Sequence, residues 1–490
     1  MARRRAVSIL ILFGLFAFVL FCTHFKLLSL PFFWDEAGQF IPQAYDLFAR
    51  GELIPTSTMP NSHPPGLPLL LAGVWTLFGY SILLTRSLML LLAAGFLTAS
   101  FLLAVELLRG AKGAPAFLAA AMLLANPLVF TQSMMAQLDL PSALFSTVLL
   151  LAYVMRLEKL AVVAAALSVL FKETSIGIPL TLAFFAWREG RWQFALQLVI
   201  APAVVVGNWV AFVAIQTGQL FGDGVYRQYN LFYPLHPVRL GFALLRRVSY
   251  LAIENFHLIP AGVLVWRWRQ IGFDPLWRAP VAAVAVHVVL VSVTGGAVLE
   301  RYLLPALPVL YAGFAAGFST LVPRWRNMAL GLTCAGLLTM LFVNPPWPYA
   351  LENNLAMVDL VEIERNAAGF IESGFSSMRV TTAWPLTDAL RKPYLGFVEK
   401  PIRNVRAVED FSLERLRGLS WERGDVLVLY SRGWNPAGGF SRLPWVRDFM
   451  RRYFLRPEEA VLADMVEVPQ LKPLVGFEQR GLWVEILIVP

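Results

Sequence analysis

Long apolar runs separated by short basic clusters dominate this sequence, and they constrain its fold before any other feature does. Runs near 7–23, 82–108, 115–131, 193–215, 248–266, 279–296, 303–321 and 327–343 carry little charge. About twenty such residues suffice to span a bilayer as a helix. Between the runs stand Arg3 to Arg5, Arg109 with Lys112, Arg156 with Lys159, Arg188 with Arg191, Arg267 with Arg269, and Arg324 with Arg326. Basic residues flanking apolar segments mark the cytoplasmic side. Composition agrees, because only 15% of residues are charged where a soluble domain carries about 25%. The net charge of +9 comes from 41 basic and 32 acidic residues. That excess sits in the loops, as membrane orientation requires, so a nucleic-acid partner is not expected. Cys22 and Cys334 both fall within apolar segments, and neither suggests a disulfide framework or a metal site.

The N-terminal MARRR and its apolar run read as an uncleaved first helix with a cytoplasmic start. If every basic cluster is cytoplasmic, consecutive clusters are joined by an even number of crossings. Pairs at 115–131 with 142–155, 160–171 with 176–187, 193–215 with 248–266, and 279–296 with 303–321 satisfy this. The run at 67–80 is too short to span and reads as an interfacial or partly inserted helix. The expected architecture is a polytopic α-helical membrane protein of about eleven spans, multi-pass in the plasma (inner) membrane. Residues 1–345 form its membrane domain, with a large first outer loop at 24–81, and residues 346–490 an external (periplasmic) domain. That tail holds β-rich runs (MRVTTAWP, GDVLVLYS, LWVEILIVP) and a helical pattern near Leu355 to Ile371. It therefore reads as a small α/β domain.

This threading gathers polar elements on the outer side. The first outer loop holds FFWDEAGQF, with Asp35 and Glu36, and NSHPPGLP, with His63. Later outer turns hold MAQLDLP with Asp139, FKETS with Lys172 and Glu173, and LERYLLPALP with Glu300, Arg301 and Tyr302. Charges beside apolar segments are costly, and cations on the outer side defy the orientation rule. Plainer readings exist for each. Asp35 and Glu36 can be solvated interfacial acids, His63 an ordinary loop residue, and Asp139 a helix cap. Lys172 can snorkel to the interface, and Arg301 can pair with Glu300. Arg246 and Arg247 lie in an amphipathic stretch and read as a helix on the headgroups.

An acidic pair after the first span, an H-P-P element, an outer D-x-P, a K-E-T turn and an R-Y-x-x-P element follow one another here. That order resembles the GT-C glycosyltransferases, in the branch of protein O-mannosyltransferases, aminoarabinose transferases and Rgt-type enzymes. The resemblance covers roughly residues 1 to 345. It implies a large first outer loop with interfacial helices, a polyprenyl-phosphate sugar donor and no metal or other cofactor. One departure is His63, which stands where aminoarabinose transferases carry a lysine before the paired prolines.

Transfer from a sugar phosphate needs a base for the acceptor hydroxyl and cations for the departing phosphate. Apolar surroundings make a carboxylate a better base, and Asp35 is the candidate, with Glu36 as neighbour or substitute. Lys172 and Arg301 would hold the phosphate, with the Tyr302 hydroxyl as a third donor. Asp139 would orient the acceptor or support the site from behind it, and His63 would line the substrate site. The expected function is inverting, metal-independent transfer to a hydroxyl of a lipid, glycan or protein at the outer face. The first outer loop lacks the spaced carboxylates that would hold a divalent metal. A secondary transporter is the alternative, with its intramembrane charges as ion or substrate sites. Transporters usually show internal repeats, and none is visible here. A membrane-anchored scaffold would leave Asp35, Lys172 and Arg301 unexplained.

Overall fold

A computed structural model describes the chain except residues 1, 61, 110–115, 221–227, 233–234, 272–273, 295, 435–442, 455–460 and 469. Lys112 of the second basic cluster falls outside the described residues, as do the side chains of Arg3 to Arg5. The contact pattern separates two compact units. One comprises 1–25 and 43–341, the other 26–42 and 342–490. The segment 26–42, which carries Asp35 and Glu36, thus groups with the C-terminal residues rather than with the helices that flank it in sequence.

The first unit is helical. Among the described residues, five helical stretches are long and apolar enough to cross a membrane: Ala6–Leu27, Ile82–Leu107, Trp192–Thr217, Pro275–Val293 and Glu300–Ser319. Their outward faces expose Leu10, Phe18, Ile200 and Val204. So wide an apolar surface would be driven out of water and is stable only against lipid. The helix Asp139–Val154 packs against both Ile82–Leu107 and Glu158–Phe171. Trp192–Thr217 lies on Glu158–Phe171 and Gly177–Arg188, and Arg278–Val293 on Gly177–Arg188.

Two expected spans are interrupted. The run 115–131 breaks at Asn126, whose Oδ1 accepts the Val129 N–H at 3.0 Å and restarts the helix with Pro127 in its first turn. The run 248–266 is not one helix, because Pro237–Ala252 ends before Leu258–Ile271 begins. Asn255 and Phe256 between them adopt positive φ, a conformation that stops a helix. His257 holds this corner, with Nδ1 at 2.7 Å from the Tyr250 carbonyl and Nε2 at 2.7 Å from the Tyr311 hydroxyl. The run 67–80 forms the helix Gly66–Phe78.

The second unit contains a five-stranded sheet. Its strands are β1 (Val380–Ala383), β2 (Val405–Val408), β3 (Val426–Tyr430), β4 (Lys472–Gln479) and β5 (Leu482–Ile488), in the order β2-β1-β3-β5-β4. The first three are parallel, with Val380 opposite both Val405 and Val426. β5 and β4 add antiparallel. β3 is buried throughout, as a central strand of Val and Leu requires. The helix Ala356–Gly374 packs on β4 and β5. Asp359 on that helix accepts from Gln479 and Arg480 at the turn of the hairpin.

Candidate functional site

The site in the first unit begins with a close approach. A Cβ on Gly66 would stand 2.6 Å from the Leu170 carbonyl oxygen, so only glycine lets the start of Gly66–Phe78 meet the end of Glu158–Phe171. That contact sets the HPP segment beside the K-E-T turn. His63 Nδ1 lies 2.9 Å from Glu173 Oε2. Trp209 fixes the same segment from another helix, its indole N–H donating to the Ser62 carbonyl at 3.0 Å.

At Lys172 the helix ends and the backbone extends. Its side chain turns inward, and Nζ donates to Asp139 Oδ1 at 2.5 Å. Arg301 Nε stands 3.1 Å from Asp139 Oδ2. One carboxylate therefore faces two cations, all three nearly excluded from solvent. The cap position of the Asp139 helix is Leu138 and Asp139 is the first helical residue, its carboxylate committed to the two ion pairs. Lys172 does not snorkel. Its turn lies outside the spans, and burial lowers the ammonium below its ordinary value, with Asp139 opposing and Arg301 adding to the effect.

The Tyr302 ring is the centre of this arrangement. Lys172 Nζ sits 3.5 Å from its centroid, Arg247 Cζ 5.5 Å and Arg301 Cζ 5.7 Å. Cations over an aromatic face are held by its quadrupole. Arg246 and Arg247 correct the sequence reading, which laid them on the headgroups. Arg239, Ala243, Arg247 and Tyr250 form the buried stripe of Pro237–Ala252, so Arg247 points inward. It donates to the carbonyls of Leu299 at 3.0 Å and Val291 at 2.8 Å, while its Nε has no hydrogen-bond partner. Arg246 is the residue that pairs with Glu300, at 2.6 Å. Arg301 faces Asp139.

A cavity of about 130 Å³ opens at this cluster, lined in part by His63, Lys172, Glu173, Trp209, Asn230 and Tyr302. Its chemistry is cationic and aromatic with a neutral amide and one carboxylate, Glu173, which is engaged by His63; the Lys172 and Tyr302 side suits an oxyanion carrying an apolar or sugar substituent. Four sequence candidates of this unit, His63, Asp139, Lys172 and Tyr302, thus come together with Arg301. Glu173, Arg247, Trp209 and Asn230 belong to the same constellation and were not singled out as site residues. A basic residue at the helical spacing of Arg239, Ala243 and Arg247 was the available signal for Arg247.

Asp35 and Glu36 lie in the second unit. Glu36 is fully buried, and its Oε2 accepts the Phe33 N–H at 3.0 Å. Asp35 is half-buried and precedes the wide helical turn Glu36–Phe40. The two neighbours therefore have different environments: Glu36 closes its own loop, and Asp35 borders solvent.

No protein-family model and no curated protein sequence matches the chain. By fold it is similar to ArnT from Cupriavidus metallidurans. The crystal structure of ArnT bound to undecaprenyl phosphate aligns with a TM-score of 0.57 and 14% identity over 98% of each chain. The apo-state structure aligns with a TM-score of 0.56, again at 14% identity and 98% of each chain. The likeness is one of fold.

Proposed function

We propose that this chain is a membrane glycosyltransferase that moves a sugar from a polyprenyl-phosphate donor to an acceptor hydroxyl at the outer face of the membrane. The observation that carries the proposal is the cluster of Lys172, Arg301 and Arg247 around Tyr302, at the edge of a cavity. Undecaprenyl phosphate bound to a protein of the same fold supports the donor class. Lys172 and Arg301, now paired with Asp139, would exchange part of that pairing for the phosphate oxygens. Tyr302 would hold the cations in place and offer its hydroxyl.

In the reaction, the acceptor oxygen forms a bond to the anomeric carbon as the bond to the phosphate oxygen breaks. The phosphate leaves with the electron pair, and the acceptor proton passes to the Asp35 carboxylate. Attack opposite the phosphate inverts the anomeric centre. A monophosphate leaving group carries modest charge, so protein cations suffice without a metal. His63 would contact the sugar, and residues 346–490 would lie outside the cytoplasm, with the N-terminus inside.

Inverted vesicles loaded with polyprenyl-phosphate sugars test the reaction: label should move to an acceptor and leave the free polyprenyl phosphate. Vesicles that transport solute but never consume donor would instead favour a transporter. Lipid identified by mass spectrometry in the purified protein tests the donor class. Alkaline phosphatase fused after Asn344 should be active, and a reporter active only in the cytoplasm should be silent there; the reverse would overturn the sidedness.

A further inference from the structure

The acidic loop is shaped by the C-terminal α/β residues. Trp34, directly before Asp35, holds φ at +43°, a conformation a bulky residue adopts only when its surroundings impose it. Local bonds supply part of that force: Glu36 N donates to the Phe33 carbonyl at 2.9 Å, and Gly38 N to the Trp34 carbonyl at 2.8 Å. The rest comes from residues far along the chain. The Phe32 N–H donates to the Leu395 carbonyl at 3.3 Å, and the Trp34 ring meets the Trp384 ring edge-on, 5.8 Å between centroids. A Cβ on Gly38 would fall 2.1 Å from the Trp384 indole, so the loop backbone lies directly on that ring.

Trp384 is itself fixed. It follows the last residue of β1, and the Tyr430 hydroxyl at the end of β3 donates to its carbonyl at 2.8 Å. In open sheets the carboxyl ends of parallel strands are where ligands bind. Here the chain's own loop touches the residue at that end of β1.

We infer that Trp384 is a positioning residue for Asp35, and that the C-terminal α/β residues are a working part of the transferase, holding its base loop in a strained shape. This rests on the proposed role of Asp35. Trp384 touches no substrate; it acts through Trp34 and Gly38. A displacement of about 1 Å in a reacting group can cost on the order of a hundredfold in rate. The shift forced by a new methyl on Gly38 or by loss of the indole is of that kind.

The test compares Trp384→Ala, Trp384→Phe, Gly38→Ala and Asp35→Asn in the full-length protein. The rate probe is whichever undecaprenyl-phosphate-linked sugar the wild type turns over in vesicles, and the binding probe is undecaprenyl phosphate alone. Trp384→Ala and Gly38→Ala should lower kcat about ten- to a hundredfold, with binding of undecaprenyl phosphate and donor KM unchanged within about twofold. Trp384→Phe should recover part of kcat. Gly38→Ala combined with Trp384→Leu, which makes room for the methyl, should outperform Gly38→Ala alone. Hydrogen exchange at residues 28–41, a readout that needs no donor, should rise in both single variants. Gly38→Ala probes the contact from the loop side, so a Trp384→Ala that fails to insert leaves the test intact. Wild-type kcat and wild-type exchange in Gly38→Ala and Trp384→Phe, with Asp35→Asn inactive, would overturn the positioning role alone. An active Asp35→Asn would overturn the base assignment instead.

Discussion

Asp139 and Glu364, one in each unit, are both nearly excluded from water, at 3% and 5% exposure, yet the two carboxylates meet burial in opposite ways. Asp139 faces Lys172 and Arg301, two cations brought from separate helices. Glu364, on the helix beneath β4 and β5, has an Oε1 without a hydrogen-bond partner, and burial alone pushes its pKa up to about 8. Around Asp139 charge is concentrated and mutually compensated. The second unit pairs Asp359 with Arg480 and Asp425 with Arg379 but leaves Glu364 to burial, and its loop bearing Asp35 is shaped by aromatic contact and backbone bonds. A buried charge is costly unless paired, so under the proposed function it is the cations sharing Asp139 that would trade their partner for substrate.

The sharpest way to break this division is Asp35→Asn. Amide for carboxylate preserves size but removes the proton acceptor, and loss of a general base costs about a hundred- to ten-thousandfold in rate. Turnover should nearly vanish while undecaprenyl phosphate still binds. Glu36→Gln should cost less, because Glu36 is committed to the Phe33 N–H and an amide oxygen can still accept it. If Glu36→Gln is dead and Asp35→Asn active, the two exchange roles; if both transfer at wild-type rate, the pair is only an interfacial anchor.

Asp139→Ala probes the other side. It leaves Lys172 and Arg301 buried without their shared anion, and breaking a buried pair in this way costs about 3–5 kcal/mol. The melting temperature in detergent should fall. Undecaprenyl phosphate should then raise it by more in the variant than in the wild type, because the ligand supplies the missing negative charge. Equal ligand-induced shifts in the two proteins would argue that the phosphate binds elsewhere.

Arg301→Lys should have a smaller effect, about ten- to a hundredfold in donor use, the range of one charge-assisted hydrogen bond. Lysine keeps the charge but loses the planar fork. Adding Glu300→Ala to Arg301→Ala should not restore activity, because Glu300 is paired with Arg246. Recovery in that double variant would defeat the phosphate role of Arg301.

Much of this division could be read before any coordinates, and the reasons are physical. Charges next to apolar segments are rare, so Lys172, Arg301 and Asp139 stood out. Strands β1, β3 and β5 lie inside the β-rich runs MRVTTAWP, GDVLVLYS and LWVEILIVP, where β-branched and other apolar residues are dense enough to read. β4 was not legible, because Pro473 and Gly476 interrupt its alternation and its exposed face carries little pattern. β2 is four residues long with an arginine in it. Arg247 was read as a surface cation since an amphipathic helix alone does not say which face is buried. The grouping of 26–42 with residues past 342 depends on contacts such as Phe32 with Leu395, which no local pattern announces.

The smallest predicted effect concerns Glu364 and pH. Its folded-state pKa of about 8 stands above the ordinary carboxyl value of 4.5, so the folded chain retains a proton that the unfolded chain releases. Stability then falls as pH rises, by the linkage between proton uptake and folding. The contribution is fully present below about pH 4.5 and is lost as pH climbs through about 8. Its size is on the order of a few kcal/mol at most, and less once the local structure relaxes to admit water. Glu364→Gln keeps the shape and cannot ionise, so it should flatten this slope and exceed the wild type in stability above about pH 8. Hydrogen exchange at residues 356–374, taken as the ratio of variant to wild type at each pH, isolates the effect from the intrinsic exchange rate. Parallel profiles for the two proteins from pH 5 to 9 would mean that Glu364 finds a counter-charge or water in solution, and the contrast with Asp139 would then fail.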